Sequence, residues 1–181
     1  RPSAVRHESG DFSDADTLSV FYRVSEAAAR GAHFREVVTL AAQEAARHLG
    51  ADRSFAALFD EGMNLLFEVY SSRLGDNYRA AIALETKELP EWISIREGDV
   101  VEVTSVEEWE EAPSALRSED VEAVAVFPMM SGKRPLGLMS FYFESEHELA
   151  GEQIDFCTVL ALQAAEAVSR ALSLKELPPE G

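Results

Sequence analysis

The sequence has few of the features that mark secreted, zinc-binding or nucleic-acid-binding proteins. It contains a single cysteine, Cys157, so it can form neither an internal disulfide nor a structural zinc site built on cysteine pairs. Basic residues are scarce, since 16 Lys and Arg stand against 33 Asp and Glu, which gives a formal net charge of -17. This charge repels phosphate backbones and anionic lipid headgroups, so we expect neither nucleic acid nor a membrane surface as a partner.

Long apolar runs are also missing. No stretch approaches the roughly 20 apolar residues that span a bilayer, and the polar start of the chain has no signal-peptide apolar region. Together with the lone cysteine, this composition predicts a cytoplasmic location. Because the chain does not begin with Met, we expect it to be a segment of a longer protein, with an output domain or an anchor outside this sequence.

The length and composition fit one domain. The chain has 181 residues, of which 46% are hydrophobic, enough for a single full-sized core. Residues 1–13 are polar and aperiodic and predict a disordered leader, residues 14–175 the domain, and residues 176–181 a tail or linker. No GxSxG, phosphate loop or HExxH motif occurs and the histidines are scattered, so we predict neither an enzyme nor a metal site.

Helical periodicity is found at both ends of the domain. Apolar residues recur at three- and four-residue spacing over residues 18–30 and 34–49, and a longer helix is predicted over residues 151–174. The last helix carries two apolar stripes: one is Ile154, Cys157, Ala161, Ala164, Val168 and Leu172, and the other is Phe156, Leu160, Ala167 and Leu174. A helix that is apolar on two sides needs two surfaces to pack against, here its own sheet and a partner.

Strand patterns occupy the middle of the chain. Two hairpins are predicted, one over residues 53–71 and one over residues 121–144 with its turn at 131–134, and a lone strand at 99–104. Residues 73–98 predict a loop with a short helix near 91–95. The acidic segment 105–120 predicts one or two short helices. The expected fold class is α+β: a central antiparallel sheet of five or six strands, with the N- and C-terminal helices packed on one face and short helices or loops on the other.

This order of elements resembles the GAF family over nearly the whole chain. The resemblance rests on GADRSFAALFDE after the second helix and, above all, on FPMMSGKRPLGLMSFYFESEHELAGEQIDFCTVLALQAAEAVSRAL at the end. Gly132 suits the turn of this hairpin, and Gly137 lets another backbone or helix approach closely. One departure is Ala150, where the family usually has a Ser or Thr that caps the last helix.

The resemblance implies a regulatory domain and leaves its ligand open. GAF domains serve in sensor kinases, phosphodiesterases, cyclases and transcription regulators, and they bind cyclic nucleotides, bilins, haem, other small molecules or nothing known. The only cysteine lies in the last helix, which disfavours a covalent bilin, and the cyclic-nucleotide signature Asn-Lys-Phe-Asp-Glu is missing. One cysteine cannot close the disulfide cycle of the family's methionine sulfoxide reductases. No cofactor is therefore predicted.

Alternation along the last two strands predicts where a ligand would bind. One face carries bulky apolar residues, which suit a packed helix, whereas the other carries smaller residues and two hydroxyls, which suit a cavity. The predicted pocket residues are Phe55, Ala57, Tyr78, Trp92, Val124, Val126, Ser140 and Tyr142. The alternative is an ordinary second core filled by Tyr78 and Trp92. The acidic run around Trp109 is read as the solvated face of a short helix anchored by Trp109, which is also a candidate lid over the pocket.

Two functions remain open from the sequence. The first is a non-catalytic sensory GAF domain that binds a small molecule and relays the signal through its terminal helices to an output domain, as in two-component systems. The alternative is a dimerisation or protein-interaction GAF module whose pocket is filled and ligandless. Both predict a homodimer, joined through the first helix around Phe21 and the second stripe of the last helix.

Overall fold

The computed structural model describes residues 14–60, 66–85 and 90–174, and for residues 14, 66, 82–85 and 90–92 it describes the backbone alone. The expected leader and tail lie outside these residues. The described elements, in chain order, are α1 (Asp14–Ala29), α2 (Phe34–Leu49), β1 (Arg53–Phe59), β2 (Leu66–Ser72), α3 (Asp76–Glu85), α4 (Pro90–Glu97), β3 (Val101–Val103), α5 (Ser114–Arg117), β4 (Ala123–Ser131), β5 (Arg134–Phe143) and α6 (Gly151–Ser173).

The described strands form one antiparallel sheet in the order β2-β1-β5-β4-β3. Strand β5 lies at the centre, where Ser140 is directly opposite Phe55 of β1 and Val126 of β4. Residues that are directly opposite point to the same face of a sheet, so the alternation predicted for β4 and β5 extends to β1. The α+β prediction and its antiparallel sheet are confirmed, with five strands.

The two faces of the sheet carry two separate apolar cores. The larger core lies on what we call the helical face, where α1, α2 and α6 cover the bulky side chains predicted to meet a helix: Phe127, Met129, Met139, Phe141 and Phe143. The smaller core lies on the opposite face, which we call the distal face, and is covered by residues of α3, α4 and α5. The predicted division between long helices on one face and short helices on the other is therefore confirmed.

Helix α6 buries most of both predicted apolar stripes within the same chain. Leu160 is fully buried, and Phe156 is stacked between Phe21 of α1, at 5.1 Å between ring centroids, and His48 of α2, at 3.9 Å. The prediction that the second stripe forms a dimer interface is wrong for Phe156, Leu160 and Ala167, because these side chains are buried in the core of the same chain. Within that stripe, Leu174 remains exposed.

Some elements differ from the sequence prediction. Helix α3 replaces part of the loop expected at residues 73–98, and α1 begins earlier than residue 18. Strand β3 has three residues instead of the six expected. The start of α6 has no Ser or Thr cap, and Gln153 accepts a hydrogen bond from the Ala150 amide at 2.9 Å, which is the other half of a capping box.

Candidate functional site

The distal face brings the predicted pocket residues together. Phe55 and Ala57 of β1 lie beside Val124 of β4 and Tyr142 of β5, and Tyr78 reaches the same cluster from α3. Val126 is partly buried against this cluster, and Ser140 is buried on the same face, opposite Val126 and Phe55. The Trp92 side chain lies outside the described residues. The alternation thus placed these side chains correctly, and their role in binding remains a prediction.

A chain of buried hydroxyls crosses this face. The Tyr78 hydroxyl donates to the Tyr142 hydroxyl at 2.7 Å, and the two rings meet edge to face with centroids 5.5 Å apart. Burial raises the pKa of Tyr142 from 10.0 to about 12, against the opposing effect of hydrogen bonds with Tyr78 and Ser140. Tyr142 therefore stays neutral in the folded protein well above neutral pH.

A buried ion pair fixes α3 and α5 over the same face. Arg53 at the start of β1 donates to Glu119, just after α5, at 2.6 Å, and both side chains are nearly buried. The other oxygen of Glu119 accepts from the Gly75 amide at 3.0 Å, immediately before α3. One carboxylate thus joins β1, α3 and α5. Such long-range pairing has no local sequence signature, and sequence reasoning missed it.

Positive charge near the distal face is already engaged or faces solvent. Arg79, on the helix that carries Tyr78, forms ion pairs with Glu68 and Asp76. Arg73 and Arg96 are exposed, and Lys87 lies outside the described residues. The described part of the face therefore presents apolar walls and neutral hydrogen-bonding groups.

Trp109 adds a polar atom that was absent from the predicted pocket residues. Its indole is partly buried against the distal cluster, and Arg117 donates to its backbone carbonyl. Within the part of the chain that the structure describes, its buried Nε1–H has no hydrogen-bond acceptor. A buried donor without an acceptor costs about 1–3 kcal/mol, so this position suits a ligand or a water that accepts a hydrogen bond.

Groups with metal or thiol chemistry lie away from the distal face. Cys157 is buried in the core of the helical face, and burial raises the pKa of its thiol. His147, in the loop before α6, stacks on Phe143 of that same core at 4.1 Å. Among the described residues, no group of three His, Cys, Asp or Glu side chains is placed to hold a metal ion. No described helix has the length and apolarity to cross a membrane.

The GAF domain family matches residues 31–169. The chain belongs to the GAF domain family. The fold is similar to the GAF domains of two phosphoenolpyruvate-protein phosphotransferases. The one from Coxiella burnetii has a TM-score of 0.73 and 15% identity and covers 91% of this chain and 100% of that one. The one from Acinetobacter has a TM-score of 0.72 and 13% identity and covers 90% and 97%.

A bilin-bound relative shares the GAF fold as well. The phycocyanobilin-bound GAF domain of a cyanobacterial phytochrome has a TM-score of 0.68 and 14% identity and covers 87% of this chain and 96% of that one. No curated protein matches the chain at a significant level. GAF domains are sensory and regulatory domains that often bind small molecules or bilins and are generally non-catalytic. These structural similarities establish the fold, and the ligand of this GAF domain must be argued from its own residues.

Proposed function

We propose that this GAF domain is a non-catalytic sensory module that binds an uncharged small molecule at its distal face and relays binding to an output domain through its terminal helices. The observation that carries the proposal is the chemistry of the distal face. Its described walls are apolar, its hydroxyls are neutral and its nearby cations are already paired or exposed. A ligand that matches such a face is largely apolar and carries a hydrogen-bond acceptor.

Trp109 is the residue proposed to contact that acceptor. Its buried indole Nε1–H has no acceptor among the described residues, and on this face it shares that property with the Nε–H of Arg53, whose guanidinium is paired with Glu119. A carbonyl or ether oxygen of the ligand would satisfy it, whereas an anion would also require a free cation.

Mass spectrometry of the purified protein, together with dye titration, tests this proposal. Prodan, an uncharged naphthalene dye with a carbonyl group, should bind with a blue-shifted emission, and the sulfonate dye ANS should bind more weakly. Trp109→Phe removes the indole N–H together with its five-membered ring and keeps one aromatic ring, so it should weaken prodan binding roughly 2- to 10-fold. Phe21→Leu on the helical face serves as a control. Preferential binding of ANS, or prodan binding unaffected by Trp109→Phe, would contradict the proposed site.

The second candidate function is a dimerisation module with a filled interior. The observation that favours it is the Tyr78–Tyr142 hydrogen bond, because these two hydroxyls satisfy each other without a ligand. Ser140→Phe separates the two functions. In a filled interior the added ring should overpack the face and destabilise the fold by about 1–3 kcal/mol. In a pocket it should abolish prodan binding and leave the melting temperature nearly unchanged.

We also propose a homodimer, which both functions need. The described apolar side chains on the outer surface of α1 and α6 form what we call the outer patch, made of Leu18, Tyr22, Val159 and Leu162. The two helices lie side by side, since Gln163 of α6 donates to the carbonyl of Phe21 in α1 at 3.2 Å. Leu18 and Tyr22 are 65% and 68% exposed, which is unusual for side chains of this size on a helix that packs in a core. A second copy would cover the patch symmetrically.

Two neighbouring leucines of α6 give a matched test of the dimer. Leu162 is 51% exposed and Leu160 is 0% exposed. Leu162→Asp should therefore yield a folded monomer in sedimentation experiments, whereas Leu160→Asp should unfold the protein, because it buries a carboxylate in an apolar core. A wild-type protein that sediments as a monomer at roughly tens of micromolar would refute the dimer.

A further inference from the structure

The two sides of strand β3 point to opposite faces of the sheet. Val101 and Val103 are partly buried against the distal cluster. Glu102, between them, is paired with Ala125, which belongs to the helical-face core. Because side chains alternate along a strand, a shift of β3 on the distal face must also move Glu102 on the other face.

The loop before α6 is hydrogen-bonded to this strand and to the residues that follow it. The Glu102 carboxylate accepts from the Leu149 amide at 2.8 Å, and the Ser105 hydroxyl donates to Glu146 at 3.2 Å. The His147 amide donates to the Thr104 carbonyl at 3.3 Å. Three contacts therefore connect residues 102–105 with residues 146–149, directly ahead of the first turn of α6.

The Glu102 contact also places a carboxylate beside the start of α6. Ala150 has no side-chain oxygen with which to cap the helix, and a carboxylate near a helix N-terminus is favourable because it faces the positive end of the helix dipole. Glu102 provides that carboxylate from a different element. The stability of the first turn of α6 thus depends on the position of β3.

We propose that β3 is the mechanical link between the distal face and α6, with Glu102 as its main positioning residue. The inference rests on the proposed function, since it describes how occupancy of the distal face reaches the terminal helix. A change in packing against Val101 and Val103 shifts β3. The shift weakens or strengthens the hydrogen bond that the Leu149 amide donates to Glu102, and the first turn of α6 opens or closes accordingly.

Amide hydrogen exchange at Gln153 and Ile154 measures that first turn, because both amides donate to the Ala150 carbonyl. Val124 of β4 lies opposite Val103, so Val124→Ala perturbs the link from the distal side. We expect Val124→Ala to speed exchange at these two amides about 5- to 10-fold. A Glu102→Ala/Ser105→Ala background lacks the two side-chain contacts of the link, and there Val124→Ala should speed exchange at these two amides less than 2-fold.

Val121→Ala is the matched control. Val121 is a buried valine of the same distal cluster that precedes β4 and is not paired with β3. It should leave Gln153 and Ile154 unchanged once global stability is taken into account. The link would be overturned if Val124→Ala sped exchange at Gln153 and Ile154 equally in the wild type and in the Glu102→Ala/Ser105→Ala background. It would also be overturned if Val121→Ala and Val124→Ala sped this exchange equally.

The proposed ligand site and the proposed β3 link can be refuted independently of each other. Prodan titration of the same variants reports binding at the distal face, whereas exchange at Gln153 and Ile154 reports the link. A protein that does not bind prodan but shows the expected dependence on Glu102 and Ser105 would refute the ligand site and support the link. If the protein binds prodan but exchange at Gln153 and Ile154 does not depend on Glu102 and Ser105, the link is refuted and the ligand site is not.

Discussion

Variants of the Tyr78–Tyr142 pair can measure how much the hydrogen bonds between the buried hydroxyls of the distal face contribute to stability. Tyr142 is 1% exposed, and its hydroxyl contacts the hydroxyls of both Tyr78 and Ser140. Tyr78→Phe removes one donor and leaves Tyr142 with Ser140, so the expected loss is the net value of one hydrogen bond, about 0.5–1.5 kcal/mol. Tyr142→Phe deprives two buried hydroxyls of a partner, and the expected loss is about 1–3 kcal/mol.

The double variant decides whether the two hydroxyls depend on each other. Once Tyr142 has become Phe, a further Tyr78→Phe no longer breaks the hydrogen bond between the two hydroxyls, so it should cost less than the same change in the wild type. We expect a coupling energy of about 0.5–1.5 kcal/mol, measured by urea denaturation of the wild type, the two single variants and the double variant.

Additivity would refute this reasoning. If the two single losses sum to the loss in the double variant within about 0.5 kcal/mol, the hydroxyls are satisfied by other groups or by a bound molecule. That result would favour the ligand-binding function over the filled interior. A large coupling energy, in contrast, would favour the filled interior.

Three further predictions concern stability and reactivity. Because burial raises the pKa of Tyr142 from 10.0 to about 12, its neutral form stabilises the fold fully below pH 10; we expect the unfolding free energy to fall by roughly 1.4 kcal/mol per pH unit between these values, and Tyr142→Phe to flatten the fall. Gly137→Ala should destabilise by about 1–3 kcal/mol in urea melts, since its Cβ would lie 2.2 Å from the Ala57 carbonyl oxygen, whereas Gly151→Ala meets nothing within 4 Å and should not. Cys157 is buried with a raised pKa, so we expect Ellman's reagent to label it only at the rate of unfolding, and rapid labelling of the native protein would contradict its placement.

Local patterns were sufficient to predict the sheet and its faces. Alternation along β4 and β5 assigned Phe127 and Ser140 to opposite faces, because the period of two leaves no other arrangement when both faces are buried. Gly137 was expected to allow a close approach, and the β1 backbone indeed lies against it. The alternation therefore predicted most of the distal face correctly.

Tertiary packing decided what the sequence left open. Helix α3 has mixed composition and weak periodicity, and its position depends on Tyr78 and on the distant carboxylate of Glu119. The two stripes of α6 predicted two packing surfaces but could not tell whether the second came from the same chain or another. Phe156, stacked between Phe21 of α1 and His48 of α2, shows that the same chain supplies it. Contacts such as Glu102 with Leu149 join residues too far apart for any local motif to show.

The shortness of β3 also bears on how this protein avoids aggregation. An edge strand with free backbone groups can recruit the strand of another molecule, and the length of the free edge governs that risk. The β3 edge of the sheet is three residues long, carries the charged Glu102 at its middle and is followed by Thr104, whose carbonyl already accepts from His147. Little backbone is left there to start an intermolecular sheet. The same hydrogen bonds that hold the start of α6 therefore also shield this edge, so cutting them should increase the tendency to form fibrils as well as loosen the helix.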